Sequence, residues 1–191
     1  MTYESMTNCK VEVLTSEEFR KLYHKIYPNG IDLKDKIHYF NWGDLNQYSS
    51  NNEKHFETLR FITAYNKKDI LGVCLFAWWD SGEHYSTSYV STNKDYLNMG
   101  ISKKLLEKLF EYFSKIYPNE ILYCSGYSID GWKWIHNTKL ELSKKYNVKI
   151  REKGIEFVVG KWDDEKRELF DKSREEIKKL YPDYYDMLGY M

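Results

Sequence analysis

Residues 89–113 read YVSTNKDYLNMGISKKLLEKLFEYF, and the change of period inside this stretch decides the fold. It opens on β-branched, aromatic and small residues, as a strand does. A polar loop follows, with Gly100 at its far end. From there Ile101, Leu105, Leu106, Leu109, Phe110, Phe113 and Tyr117 share one face of a helix, which Pro118 stops. The first N–H groups of a helix have no internal partner and carry the positive end of its dipole, so they attract anions such as phosphate. Glycine at that entrance lets the main chain approach an anion closely. Glycine also suits a loop that simply ends where a helix begins, so the neighbouring elements decide between the two readings.

Upstream, KVEVLT (10–15) alternates apolar and polar residues and predicts a first strand. SEEFRKLYHKIYPNG (16–30) predicts a helix capped by Ser16, with Glu17 and Glu18 in its first turn and Pro28 and Gly30 at its end. Residues 31–56 predict a short second helix or irregular segment, then a loop. TLRFITAYN (58–66) and ILGVCLFAWW (70–79) flank the turn KKD and read as a hairpin; DSGE then leads to HYSTSYVST (84–92). Three strands joined this tightly form an antiparallel meander. Downstream, a strand at 120–128, a helix at 130–146 and a strand at 148–160 follow the 101–117 helix, which predicts parallel crossovers. A charged helix at 163–180 and an aromatic tail close the chain. KIYPN occurs at 25–29 and at 115–119, each time ending a helix, and reads as a shared stop signal. The expected class is α/β (α+β): a mixed central sheet in which an antiparallel meander precedes a parallel β-α-β crossover.

The chain has 191 residues, which suits one domain, and its 42% hydrophobic residues can fill a core. We expect the domain at 1–160, with 161–191 as a helical extension on or beside it. Lys and Arg balance Asp and Glu at 29 against 29, so net charge gives no argument for nucleic acid or an acidic membrane. Cys9, Cys74 and Cys124 are odd in number and form no C-x-x-C pair, so neither a disulfide framework nor structural zinc is expected. His24, His38, His55 and His136 show no metal-ligand spacing. The longest apolar run, 70–79, is too short to span a bilayer, and the N-terminus lacks the pattern of a signal peptide; the expectation is a cytoplasmic protein.

The loop is neither a Walker loop nor a Rossmann fingerprint, since both glycine patterns are absent. The order β-α-α-β-β-β-α-β-α-β, with the loop between the fourth strand and the third helix, resembles the GCN5-related N-acetyltransferase family. That family carries [Q/R]-x-x-G-x-[G/A] there; this chain has Leu97-Asn98-Met99-Gly100-Ile101-Ser102. Gly100 matches, Ser102 is a small replacement, and Leu97 departs, so one side-chain contact would be missing. The resemblance spans about residues 10–160 in element order. It implies an acyl-CoA N-acyltransferase-like fold and acetyl-CoA as cosubstrate. The pyrophosphate would lie on the amides of Asn98, Met99, Gly100, Ile101, Ser102 and Lys103, with Lys103 and Lys104 near the phosphates. The pantetheine would lie between Tyr89 and Val90 on one strand and Tyr123 to Ser125 on the next.

Acetyl transfer to an amine needs a base, a polarised thioester oxygen and a proton for the leaving thiolate. In the family a carboxylate near the start of the fourth strand often serves as base. Glu83 and His84 occupy that place, with Asp80 nearby; His titrates near neutrality, and Glu83 would serve if burial tuned it. The same residues also read as an exposed hairpin turn. The family's acid is commonly a Tyr on the helix after the fifth strand, but counting from Asp130 that position is Asn137. Tyr127 is the substitute and Tyr146 a second. Trp132 and Trp134, two apart, face different sides of the helix. The amine acceptor, a small molecule or a protein, would be held by the aromatic and acidic residues of 31–56 and 181–191. Alternatives are a degenerate member that binds a protein partner, transfer of a bulkier acyl group, and a homodimer formed through 163–191.

Overall fold

The computed structural model describes residues 9–38, 40, 53–79, 83–157 and 161–187. Strand β1 (Lys10–Leu14) leads into α1 (Ser16–Ile26), a short 3-10 turn at Leu33–Asp35, and α2 (Glu53–Thr58). The meander follows as β2 (Arg60–Tyr65), β3 (Ile70–Trp79) and β4 (His84–Thr92). A second 3-10 turn (Lys94–Tyr96) precedes α3 (Ile101–Ile116). Then come β5 (Ile121–Cys124), β6 (Tyr127–Ser128), α4 (Ile129–Tyr146), β7 (Lys149–Glu152), β8 (Ile155–Phe157), α5 (Asp164–Leu180) and α6 (Pro182–Met187).

The sheet has the order β1-β2-β3-β4-β5-β7, antiparallel from β1 to β4 and parallel from β4 to β7. Burial on both faces explains the continuous apolar run of β3, where Ile70 to Ala77 are all buried. On one face α3 presses Leu105, Leu109, Phe110 and Phe113 onto Ile62, Cys74 and Phe76, and α4 adds Trp132 and Leu142 to the same core. On the other, Phe19 and Tyr23 of α1 cover Phe61, Val73 and Leu75. Each fully buried Phe or Leu contributes about 1.5–3 kcal/mol relative to exposure. Gly72 sets how close α3 can come: a Cβ there would stand 2.9 Å from Ile101 Cγ2 and 2.9 Å from the Ser91 carbonyl oxygen.

Two expected strands are each broken in two. The predicted strand at 120–128 divides at Ser125–Gly126, and the one at 148–160 divides at Lys153–Gly154. The β5–β7 pair ends at Cys124 opposite Glu152; beyond it, β6 and β8 pair with each other in a separate two-stranded ribbon. The two strands thus leave the main sheet together. The cap expected at Ser16 falls one residue earlier: Thr15 Oγ1 accepts from the Glu18 amide at 3.3 Å, and Glu18 Oε2 accepts from the Thr15 amide at 2.8 Å. At the C-terminal end, α5 packs Ile177 into the α3/α4-side core, and Ser173 Oγ accepts from the Ile155 amide at 3.0 Å. Among the described residues no helix is long and apolar enough to cross a membrane.

Candidate active site

Strand β4 carries an extra residue. Leu75 lies opposite Tyr89 and Phe76 opposite Thr87, so Ser88 forms a bulge. Pairing of β4 with β5 runs only through Tyr85–Leu122, Ser86–Tyr123 and Thr87–Cys124. Past that last rung β4 continues to Thr92 along β3, whereas the β5 chain turns away through Ser125 to β6. The result is a V whose apex is Thr87, Ser88 and Cys124. Ser88 Oγ is buried there with no partner among the described residues. Tyr89 and Val90 lie on one arm, Tyr89 toward the α1-side core and Val90 toward the α3-side core; Ser125, half-buried, begins the other arm.

The wide end of the V meets the start of α3. The loop before it is fastened at its base by Asn93, fully buried, whose Nδ2 donates to the Ile70 carbonyl at 2.8 Å. Asn98 and Gly100 both adopt left-handed backbone, with φ of 61° and 70°. Thr15, Ser128 and Asp163 cap α1, α4 and α5 with a side-chain oxygen, but Gly100 gives α3 no side-chain cap. The first bond back along α3 is from the Lys104 amide to the Gly100 carbonyl at 3.2 Å, so the amides of Ile101, Ser102 and Lys103 precede the helical ladder. A Cβ built on Gly100 meets nothing within 4 Å, so the approach to these amides is open. Ser102 Oγ lies 2.8 Å from Thr92 Oγ1, linking the helix start to the β4 arm. Leu97 is exposed, Met99 half-buried and Lys103 exposed. A bare set of main-chain donors, an unfilled approach and an orphaned hydroxyl at the apex fit a long ligand with phosphate at one end.

The candidate chemical residues fall apart from one another. Glu83 is exposed in a left-handed turn with φ of 48°, so the burial its role asks for is absent. His84 is half-buried, its ring 4.4 Å from that of Tyr123, which in turn meets Tyr184 at 5.4 Å. Ser88 lies four steps along the strand from His84, about 13 Å, so proton transfer from the apex to His84 would pass through water. Asp80 lies outside the described residues, as do 39, 41–52 and 188–191 from the expected acceptor segments.

Tyr127 does not face outward as a free proton donor. It is buried, and its hydroxyl donates to Glu152. Burial, with the Glu152 charge second, raises its pKa far above the usual tyrosine range. Glu152 is itself wholly buried; His136 Nδ1 lies 3.0 Å from its Oε2, a close ion contact without hydrogen-bond alignment, and Tyr181 donates to it at 3.4 Å. His136 Nε2 reaches Glu176 at 3.1 Å near the surface. Burial pushes the His136 pKa down, but Glu152 and Glu176 outweigh it and the net direction is up. This chain of groups was not visible in the sequence because its members lie on β6, α4, β7 and α5 and at the end of α5. Lys139 also joins the region: it is 3% exposed, with Nζ 4.3 Å from the Tyr127 ring centre. Trp132 is buried and stacks on His136 at 3.9 Å, while Trp134 is 75% exposed. Among the described residues no group of three or more His, Cys, Asp or Glu is placed to hold a metal.

Comparison with known proteins adds the family. The acetyltransferase (GNAT) family matches residues 16–124. No curated protein matches. Among solved structures, the chain is similar to the ribosomal-protein-S18-alanine N-acetyltransferase of Escherichia coli, at 16% identity over 56% of this chain and 60% of that one, with a TM-score of 0.37. It is also similar to an aminoglycoside acetyltransferase from an uncultured soil metagenomic sample, at 14% identity over 96% of this chain and 91% of that one, with a TM-score of 0.34. The chain thus spans three fifths of the length of the first of these.

Proposed function

The chain belongs to the acetyltransferase (GNAT) family, and from that premise we propose that it moves an acetyl group from acetyl-CoA to a primary amine of a small molecule or protein. The amine attacks directly in a ternary complex. Its nitrogen lone pair forms the new C–N bond, the C–S electron pair goes to the CoA sulfur, and the amine proton passes through water to a base at His84 or Glu83. The products are an acetamide and CoA. The observation that most supports this reading is the V between β4 and β5, which opens onto the uncapped start of α3.

In this reading the amides of Ile101, Ser102 and Lys103 hold the pyrophosphate, and Asn98, Met99 and Gly100 shape the approach to them. Tyr89, Val90 and Ser125 line the arm for the pantetheine. Proximity in the V supplies much of the rate. Tyr127 keeps its proton inside the fold and acts as support for the β6 arm. Residues 1–160 form the acetyltransferase domain, and 161–191 an extension packed on it, consistent with Ile177 and Tyr181 in its core. The setting is cytoplasmic, and a second copy of the chain would use the 163–191 surface.

The test is melting temperature with and without acetyl-CoA. A ligand at 100 times its Kd stabilises the fold by about 2.7 kcal/mol, and a mass increase of one acetyl group on an amine then identifies the transfer. No shift at saturating acetyl-CoA would favour the other reading, a family member that has kept the fold to bind a protein partner.

A further inference from the structure

On β4 the half-buried His84, Ser86 and Ser88 alternate with buried Tyr85 and Thr87, and on β5 the half-buried Tyr123 is flanked by buried Leu122 and Cys124. Tyr85, Leu122 and Cys124 belong to the α3/α4-side core, so His84, Ser86, Ser88 and Tyr123 line the opposite face of the two strands. On that face α1 packs on β1 and β2, and α2 on β3. Over β4 and β5 stands a row of rings instead: His84 on Tyr123 at 4.4 Å, and Tyr184 of α6 on Tyr123 at 5.4 Å. The unpartnered Ser88 Oγ ends this side at the apex of the V.

Glu156 brings a negative charge to the same side. Ile155 and Tyr127, paired between β8 and β6, both belong to the α3/α4-side core, so Glu156 and Gly126 beside them turn the other way. Their contact agrees: a Cβ on Gly126 would fall on the Glu156 carboxylate. Glycine thus lets the Glu156 side chain lie across the main chain where the β6 arm begins. Gly126 is two residues past Cys124, so the carboxylate is seated no more than about 7 Å of chain from the apex. Glu156 is exposed, and its Oε1 pairs with Lys153 Nζ at 3.3 Å, a pair that water reaches from both partners. Such a pair is worth little, so another ammonium can join or replace it.

We infer that Glu156 selects the acceptor: its carboxylate, seated on Gly126 at the start of the open arm, takes the amine in its ammonium form. The acceptor class is then an aliphatic primary amine, cationic near pH 7 as a lysine side chain is. The rings of His84 and Tyr123 suit the same cation on its way to the apex. The extra proton of the ammonium goes to water before attack. The lone pair it frees then forms the C–N bond while the C–S pair goes to sulfur, and Glu156 stays a carboxylate throughout. This inference rests on the acetyl-transfer reading above.

The probes are propylamine, an ammonium at neutral pH, and hydroxylamine, which is largely uncharged there. Each is titrated with saturating acetyl-CoA against wild type, Glu156→Gln and Gly126→Ala, and CoA release and the acetylated product are followed. Glu156→Gln should lower the ratio of kcat/KM for propylamine to that for hydroxylamine by about tenfold or more, the usual effect of losing a hydrogen bond to a charged group. The change should lie in KM for propylamine. Gly126→Ala, which pushes the carboxylate off its seat, should lower the ratio in the same direction. An unchanged ratio in Glu156→Gln overturns the inference. So does a wild type that binds acetyl-CoA but leaves propylamine unacetylated. In both cases the melting shift with acetyl-CoA keeps the acetyl-transfer reading standing, whereas a wild type that does not bind acetyl-CoA fells both. Should Gly126→Ala fail to fold, Glu156→Gln decides alone.

Discussion

Gly72 of β3 and Ile101 at the start of α3 meet so closely that no side chain fits between them: a Cβ on residue 72 would lie 2.9 Å from Ile101 Cγ2. The same Cβ would stand 2.9 Å from the Ser91 carbonyl oxygen and 3.1 Å from Leu105 Cδ1. The Ser91 carbonyl is part of β4, so relief of its contact disturbs the sheet, and relief of the Ile101 and Leu105 contacts displaces the helix start as well. Gly72→Ala should therefore destabilise the fold by about 1–3 kcal/mol, as overpacking does. Because the displaced part of α3 carries the free amides of residues 101–103, affinity for acetyl-CoA should fall too. Denaturant titration and calorimetry on the same variant check both, and unchanged stability would show that the helix start is more yielding than its packing implies.

Gly100 supports a prediction of crossed effects. Its φ of 70° is the left-handed region, and a side chain there has space but not conformation. Gly100→Ala and Gly100→Asp should each lose about 1 kcal/mol to backbone strain. Aspartate then places a carboxylate beside unpaired amides, which favours the helix and repels a phosphate. Gly100→Asp should thus melt no lower than Gly100→Ala while binding acetyl-CoA far more weakly. Equal cofactor affinity in the two variants would remove the loop from the binding site.

These two glycines mark how much the sequence discloses. The apolar period of 101–117, the hairpin turn before Ile70 and the crossover order were enough for the sheet, because each depends on neighbours in the chain. Gly100 was legible for the same reason. The breaks at Ser125–Gly126 and Lys153–Gly154 were not, because the apolar pattern runs through both and only pairing between distant strands shows where they leave the sheet. Thr15 was displaced by Ser16 as the expected cap because both suit the position and only backbone geometry selects one. The polar cluster was hidden differently. Tyr127, His136 and Glu152 are far apart in sequence, and each looks ordinary alone. Lys139 did leave a signal: it falls three residues after His136 and three before Leu142, on the helix face that Trp132 makes apolar.

Glu83 gives a clean separation of chemistry from structure. It holds φ of 48° in an exposed turn, where glycine is the conformationally preferred residue. Glu83→Gly should leave the melting temperature unchanged or slightly raised. If Glu83 is the base, acetyl transfer should drop by about 100-fold or more, the usual contribution of such a group. If His84 is the base, Glu83→Gly should retain its rate and His84→Gln should lose it. Two variants with wild-type rates would move the base elsewhere.

His136 yields a prediction about pH. Despite the opposing effect of burial, Glu152 and Glu176 raise its folded pKa above the ordinary 6.5. A histidine raised in this way binds its proton more tightly folded than unfolded. The stability it contributes is fully present below about pH 6.5 and is lost as pH rises through the higher folded value. His136→Gln removes the charge but keeps a polar group beside Glu152. The gap in melting temperature between wild type and variant should be widest on the acid side and narrow as the pH rises above about 6.5. Glu176→Gln, at the exposed end of the contact, should narrow the same gap by a smaller amount, because its carboxylate is 46% exposed and water screens it. A gap that stays constant across this range would mean that His136 is held by its stacking on Trp132 alone, with no contribution from its proton.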